Sequence, residues 1–236
     1  MEWYAGTSGF SYKEWKGNFY PEKIPAKEML SYYAGRLKAV EINNTFYRLP
    51  KRELLEGWAE QVPESFRFSI KASRRITHFK RLKEPYDETD YLIETVGALG
   101  ARLGVVLFQL PPNSKRDDDR LAAFVANLPD DFPATFEFRH ESWNDPAVHD
   151  ILRAKNCALC IAESDDDESV ECVGTADWGY LRLRKTSYAE KELESWRDRA
   201  RDLGWKHAFV FFKHEDEGTG PKLAESFLKI AAGGPE

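Results

Sequence analysis

The sequence predicts an α/β protein of the (β/α)8, TIM-like barrel class. Three observations predict it. Eight short apolar runs recur along the chain, and helical patterns separate most of them. The length of 236 residues is also close to that of a typical barrel of eight strand–helix units. No internal repeat, low-complexity stretch or long linker interrupts the chain, so one domain over residues 1–236 is expected.

The predicted strands cover 3–7, 39–43, 66–71, 104–110, 134–139, 158–162, 179–183 and 208–213. The predicted helices cover 26–37, 51–61, 87–99, 117–127, 146–155, 189–203 and 221–231. Local chemistry supports several ends. Asp145 precedes Pro146 as a cap before a first helical proline, and Asp117, Asp118 and Asp119 put negative charge in a first turn. Gly100 and Gly204 follow helices where left-handed backbone is favoured. Residues 164–176 read as an acidic loop with no helix, and the run Asp165 to Glu168 is most simply solvated. An open doubly wound sheet is the alternative. Its phosphate turn would be G-x-G-x-x-G, and the turn here is GTSGFSYKEWKG.

Composition narrows the function classes. Apolar residues are 42% and charged residues 31%, an ordinary soluble balance. The net charge of −6 argues against general coating of nucleic acid, which favours a strongly basic domain. Cys157, Cys160 and Cys172 are too few and odd in number for a disulfide framework, and period two puts Cys157 and Cys160 on opposite strand faces. The start MEWYAGT reads as a strand rather than a basic leader, and no apolar run reaches membrane-span length. A cytoplasmic protein without membrane attachment is expected.

Buried parallel strands should be apolar on both faces, so their polar residues carry information. Glu41 and Asn43 share one parity, as do Ser69 and Lys71, Glu137 and Arg139, and Tyr180, Arg182 and Arg184. Gln109 ends the fourth strand, and Lys213 and His214 end the eighth. The apolar parity must meet the helices, so the polar parity points into the barrel mouth, where sites of this fold lie. Glu41 and Glu137 stand there against Lys71, Arg139, Arg182 and Lys213, a net positive set that suits an anionic ligand. A purely structural ion network is the alternative reading. After the third strand, ASRRITHFKRLK supplies Arg74, Arg75, Lys80, Arg81 and Lys83 with His78 and Phe79 among them. It reads as a solvated loop or as a clamp over the mouth, and its basic and aromatic mixture also suits single-stranded nucleic acid. Trp15, Tyr20, Tyr47 and Trp143 follow strand ends and suit either loop packing or ligand stacking.

Several chemistries fit these groups. Glu137 is a candidate general base, and Glu41 with Glu137 a candidate glycosidase pair. Lys71 suits a Schiff base if desolvated, or a phosphate ligand among its cations. Glu137, His140 and His214 are the candidate metal ligands, though the chain has no H-E-x-x-H or H-x-x-E-H spacing. No G-x-S-x-G elbow supports a serine nucleophile.

The segments GTSGFSYKEWKGNFYP, EINNTFYRLP, FSIKASRRITH, LFQLPP, FEFRHESW, DWGYLRLR and FFKHE resemble the YecE-like family, domain of unknown function 72, almost end to end. The resemblance implies a TIM-type barrel with these motifs at one mouth. It implies no established reaction, although the family is sometimes described as sugar-isomerase-related. Lys213 and His214 stand where many members carry paired asparagines.

The expected function is that of an enzyme on a small anionic or polyhydroxylated substrate, sugar-like or sugar-phosphate-like, of isomerase or hydrolase type. Glu41, Glu137 and Lys71 are the expected catalytic residues. Asn43, Tyr47, Arg74, His78, Gln109, Arg139, Trp143, Tyr180, Arg182, Lys213 and His214 are the expected binding residues. The cofactor is left open. A nucleic-acid-binding protein using the loop 71–83 and a non-catalytic small-molecule sensor are the alternatives.

Overall fold

A computed structural model of the chain describes residues 1–167, 169–213 and 217–233. Eight parallel strands close into a barrel in chain order: β1 (Glu2–Ser8), β2 (Ala39–Ile42), β3 (Arg67–Lys71), β4 (Leu103–Gln109), β5 (Ala134–Glu137), β6 (Ala158–Glu163), β7 (Trp178–Leu183) and β8 (His207–Phe212). The β1–β8 ladder runs from Glu2↔His207 to Thr7↔Phe212 and completes the ring. The helices are α1 (Met29–Ala34), α2 (Arg52–Glu60), α3 (Tyr86–Val96), α4 (Asp118–Ala126), α5 (Pro146–Arg153), α6 (Glu190–Asp202) and α7 (Thr219–Gly233). Among the described residues none of these helices lies between β6 and β7, as the acidic composition of that stretch predicted. Thr175 anchors this loop instead: its hydroxyl donates to Cys157 O and accepts from Leu159 N–H.

The caps follow the sequence. Asp117 accepts from Arg120 N–H, and Asp145 accepts from Ala147 N–H ahead of Pro146. Gly100 and Gly204 have φ of 54° and 70°. Several expected boundaries move. Strands two and five end at Ile42 and Glu137, so Asn43 and Arg139 stand just beyond the ladder. The first helix is shorter than expected, because Ala26–Glu28 forms a 3₁₀ turn before α1.

Alternation divides the core in two. Phe68, Ile70, Phe108, Phe136, Leu181 and Val210 face the helices, while Tyr4, Val105, Leu107, Cys160, Tyr180, Phe209 and Phe211 fill the lumen. Cys157 and Cys160 fall on opposite sides of this division, and all three cysteines are free thiols. Burial raises the pKa of the Cys157 thiol to about 12.

One side chain repairs the β1–β2 seam. The buried Tyr33 hydroxyl accepts from Thr7 N–H at 2.8 Å and donates to Ala39 O at 2.9 Å, bridging the strands where their own ladder begins. Gly6 leaves room for it, since a Cβ there would lie 1.7 Å from Ala39 O. Tyr33→Phe strands both buried backbone groups. It is expected to cost about 1–3 kcal/mol in urea unfolding, and a loss within experimental error would show that the bridge is dispensable.

Candidate functional site

The polar parity of β2, β3, β5 and β7 converges at the C-terminal mouth. Its floor is a buried ion network. Arg182 donates from Nη1 to Glu137 Oε2 at 2.6 Å and from Nη2 to Glu41 Oε1 at 2.8 Å. Arg182, Glu41 and Glu137 are respectively 4%, 0% and 2% exposed, so this guanidinium joins two carboxylates out of water. Neutral donors satisfy the remaining lone pairs of Glu41: Ser8 Oγ and Asn43 Nδ2 donate to Oε1, and Tyr180 Oη to Oε2. Ser69 Oγ meets the same Tyr180 hydroxyl at 2.6 Å. On the outer side, Arg139 Nε and Arg184 Nη2 both reach Glu137 Oε1, at 3.1 and 3.2 Å.

The protonation states follow from these contacts. Burial alone would raise both carboxyl pKa values. At Glu41 the Arg182 charge and its hydrogen bonds outweigh burial, and at Glu137 the charges of Arg182, Arg184 and Arg139 do so. Both are held below the ordinary value and are ionised at neutral pH. Burial and the neighbouring Glu41 carboxylate push the Tyr180 phenol well up, so it remains a donor.

Above this floor, Lys71 Nζ donates to Gln109 Oε1 at 2.7 Å and lies 4.6 Å from the centre of the Phe46 ring. Among the described residues no carboxylate forms an ion pair with it. Burial and the Arg182 charge lower its pKa to about 8. His78 packs edge-on to the same ring at 4.7 Å, and burial, then the charges of Lys71 and Arg139, lowers its pKa.

A cleft of about 1000 Å³ opens beside this cluster. It lies where the β5–β6 ladder lapses: pairing stops at Phe136↔Leu159, whereas β6 pairs with β7 as far as Glu163. Glu137, Arg139, Arg184 and Lys213 line its mouth side, Leu159, Ile161 and Val173 give it an apolar wall, and Asp167 and Glu171 face it from the acidic loop.

Glu41, Asn43, Lys71, Gln109, Glu137, Arg139, Tyr180 and Arg182 thus form one connected site, with His78 beside it. Three residues or groups differ from expectation. Arg182 occupies the space between Glu41 and Glu137 that a glycosidic bond would need. Trp143 lines the cleft from a packed position, its ring stacked on Phe138 at 4.4 Å and its Nε1 donating to Ser114 O. Tyr47 is 68% exposed and stands outside the cluster, with Arg74 5.5 Å from its ring centre. Trp15 and Tyr20 are buried in loop packing. His214 lies outside the described residues. Among the described residues no group of three or more His, Cys, Asp or Glu is placed to hold a metal, and His140 Nδ1 is engaged by Ser142. Sequence reasoning missed Ser8 and Phe46 as members of the site, and placed Ser69 and Arg184 at the mouth by parity without giving either a role. The β1 parity of Tyr4, Gly6 and Ser8 would have found Ser8.

Arg182→Met leaves the buried Glu41 carboxylate without a cation and is expected to cost about 3–5 kcal/mol at pH 7. A loss below about 1 kcal/mol would mean that the network behaves like a solvated surface pair. The pH dependence carries a sign. Both carboxyls have folded pKa values below their ordinary 4.5, so their contribution is complete above that value and erodes as pH falls below it. Glu137→Gln should therefore lower the melting temperature at pH 7 and flatten its decline in acid; an unchanged acid limb would contradict the assignment.

The family model described as protein of unknown function DUF72 matches residues 4–235. UPF0759 protein YunF of Bacillus subtilis is 23% identical over 96% of this chain and 94% of its own length. UPF0759 protein YecE of Escherichia coli is 34% identical over 47% of this chain and 41% of its own. A DUF72 family protein from Thermotoga maritima superposes with a TM-score of 0.83 at 25% identity, covering 98% of this chain and all of that one. A second, from Enterococcus faecalis, superposes with a TM-score of 0.75 at 18% identity, covering 99% and 97% of the two chains. With its model matched across nearly the whole barrel, the chain belongs to the DUF72 family.

Proposed function

We propose that the protein is an enzyme that binds a small anionic or polyhydroxylated substrate, sugar-like or sugar-phosphate-like, at the C-terminal mouth of the barrel. The observation that carries this reading is a charge imbalance. Arg182 already joins Glu41 to Glu137, yet Arg139 and Arg184 crowd the same Glu137 and Lys71 stands beside them. Among the described residues, four cations stand around these two carboxylates, which favours an anion on that side of the cleft, while Asp167 and Glu171 face it from the acidic loop. Arg139, Arg184 and Lys213 line the open cleft and would hold it, while Gln109 and Asn43 would orient hydroxyls.

The geometry also limits the acid–base role proposed for the carboxylates. Both are ionised, so neither starts as a proton donor, and Glu137 is a weak base while three guanidinium groups hold it. An anion drawing Arg139 and Arg184 away would raise its proton affinity, so binding would itself prepare the base. Glu41, deeper and fully buried, would fix Arg182.

The test is calorimetric titration at constant ionic strength with inorganic phosphate and a panel of sugar phosphates. Saturable binding is expected, weakened about tenfold for each charge-assisted pair removed by Arg139→Ala and Arg184→Ala. No heat from any of these anions, or binding indifferent to both substitutions, would remove the reading. Turnover of a bound sugar phosphate would separate an enzyme from a sensor.

A second reading rests on the loop 71–83. Arg74 lies between two exposed rings, 5.5 Å from Tyr47 and 5.3 Å from Phe79, an arrangement suited to stacking unpaired bases. Gel shifts with single-stranded oligonucleotides should then weaken steeply with salt. Absence of a shift at low salt would dismiss it.

A further inference from the structure

We propose that Lys71 is an amine nucleophile that condenses with the carbonyl group of a small aldehyde or ketone at the barrel mouth. The inference deepens the reading above: it rests on the mouth being a ligand site, though not on the ligand being an anion.

Lys71 ends β3 with its side chain on the lumen parity, half-buried. Its amine is positioned by neutral groups, the Gln109 Oε1 acceptor at 2.7 Å and the Phe46 ring. Other lysines of the chain are held by carboxylates, among them Lys80 by Glu88, Lys155 by Asp130 and Lys206 by Asp177. Among the described residues, the two carboxylates of the floor, Glu41 and Glu137, are taken by arginines. Among the described residues no carboxylate pairs with Lys71, and burial and the Arg182 charge outweigh the pull of Glu137 and Glu41 and bring its pKa down to about 8. At pH 7.5 the neutral fraction of such an amine is roughly two hundred times that of an ordinary lysine. A purely electrostatic anchor would be served by the arginine used at three neighbouring positions, because arginine cannot lose its proton. A lysine among them adds one property, a lone pair on demand.

The step balances without an oxidant or reductant. The Nζ lone pair attacks the carbonyl carbon, a C–N bond forms, and the C=O π pair moves to oxygen. A proton passes from nitrogen to that oxygen through solvent at the half-open mouth. The hydroxyl then leaves as water after taking up a second proton, and the nitrogen lone pair closes the C=N bond. The resulting iminium keeps the positive charge that Glu41 and Glu137 face.

The experiment is reductive trapping with cyanoborohydride on the whole protein, with glycolaldehyde as an uncharged probe and glyoxylate as an anionic one, followed by peptide mapping. Lys71 should be alkylated at least about tenfold faster than the exposed Lys23 and Lys222, with a rate that rises to half its maximum near pH 8. Lys71→Arg, which keeps the charge, should abolish the fast adduct without lowering the melting temperature. Glyoxylate trapped faster than glycolaldehyde supports both readings. Glycolaldehyde trapped as fast supports the nucleophile while the anion pocket fails. Lys71 labelled no faster than the surface lysines with either probe, or with a pH profile parallel to theirs, overturns the proposal.

Discussion

Much of the mouth depends on one guanidinium held between two carboxylates in the absence of water. Burying Arg182, Glu41 or Glu137 alone would be strongly unfavourable, so each requires the others. The surrounding residues follow from the same requirement. A buried carboxylate has lone pairs that water no longer fills, and Ser8, Asn43 and Tyr180 supply donors for those of Glu41. Because Glu41 comes from β2, Glu137 from β5 and Arg182 from β7, the network ties distant strands across the lumen, and its geometry is set only when the ring closes.

A structural plug would account for this floor but not for what stands above it. A plug is best when neutral. Here Arg139 and Arg184 add to a carboxylate already bonded to Arg182, and Lys71 adds a further cation without a carboxylate partner among the described residues. The chain as a whole carries −6, which makes the local excess more pronounced. A positive mouth in a negative protein would concentrate small anions by focusing the field. The lapse between β5 and β6 then matters: it opens the cationic side of the network to solvent while Arg182 stays covered.

The ring of polar strand ends was legible because the pleat enforces period two, and a buried parallel strand offers no other reason for Glu41, Ser69, Glu137 or Arg182 to be polar. Partner choice was not legible. That Arg182 bonds both acids depends on side-chain reach across the lumen, which no spacing in one strand encodes. Arg184 was placed by parity, but its bond to Glu137 reaches from the end of β7 to β5, past the intervening β6. Trp143 was ambiguous for a different reason. An indole after a strand end has the same sequence signature whether it stacks on Phe138 or on a ligand, and the deciding contact, Nε1 to Ser114 O, spans 29 residues. The β5–β6 lapse leaves no mark in composition, because no residue type in either strand signals where pairing stops.

The choice of lysine at position 71 bears on how such a site would work. Arginine and lysine supply the same charge, but only lysine can give it up near neutral pH. In a cluster where Arg182, Arg139 and Arg184 cannot titrate, like-charge repulsion acts on the groups that can, and those are Lys71 and His78. Both are shifted toward their neutral forms by burial and by neighbouring cations. An anion arriving in the cleft would reverse that pressure, favouring the ammonium, while a carbonyl compound would consume the neutral amine. The cationic mouth would thus couple ligand charge to the protonation of Lys71, and the same electrostatic excess that attracts a ligand would set which chemistry Lys71 can perform on it.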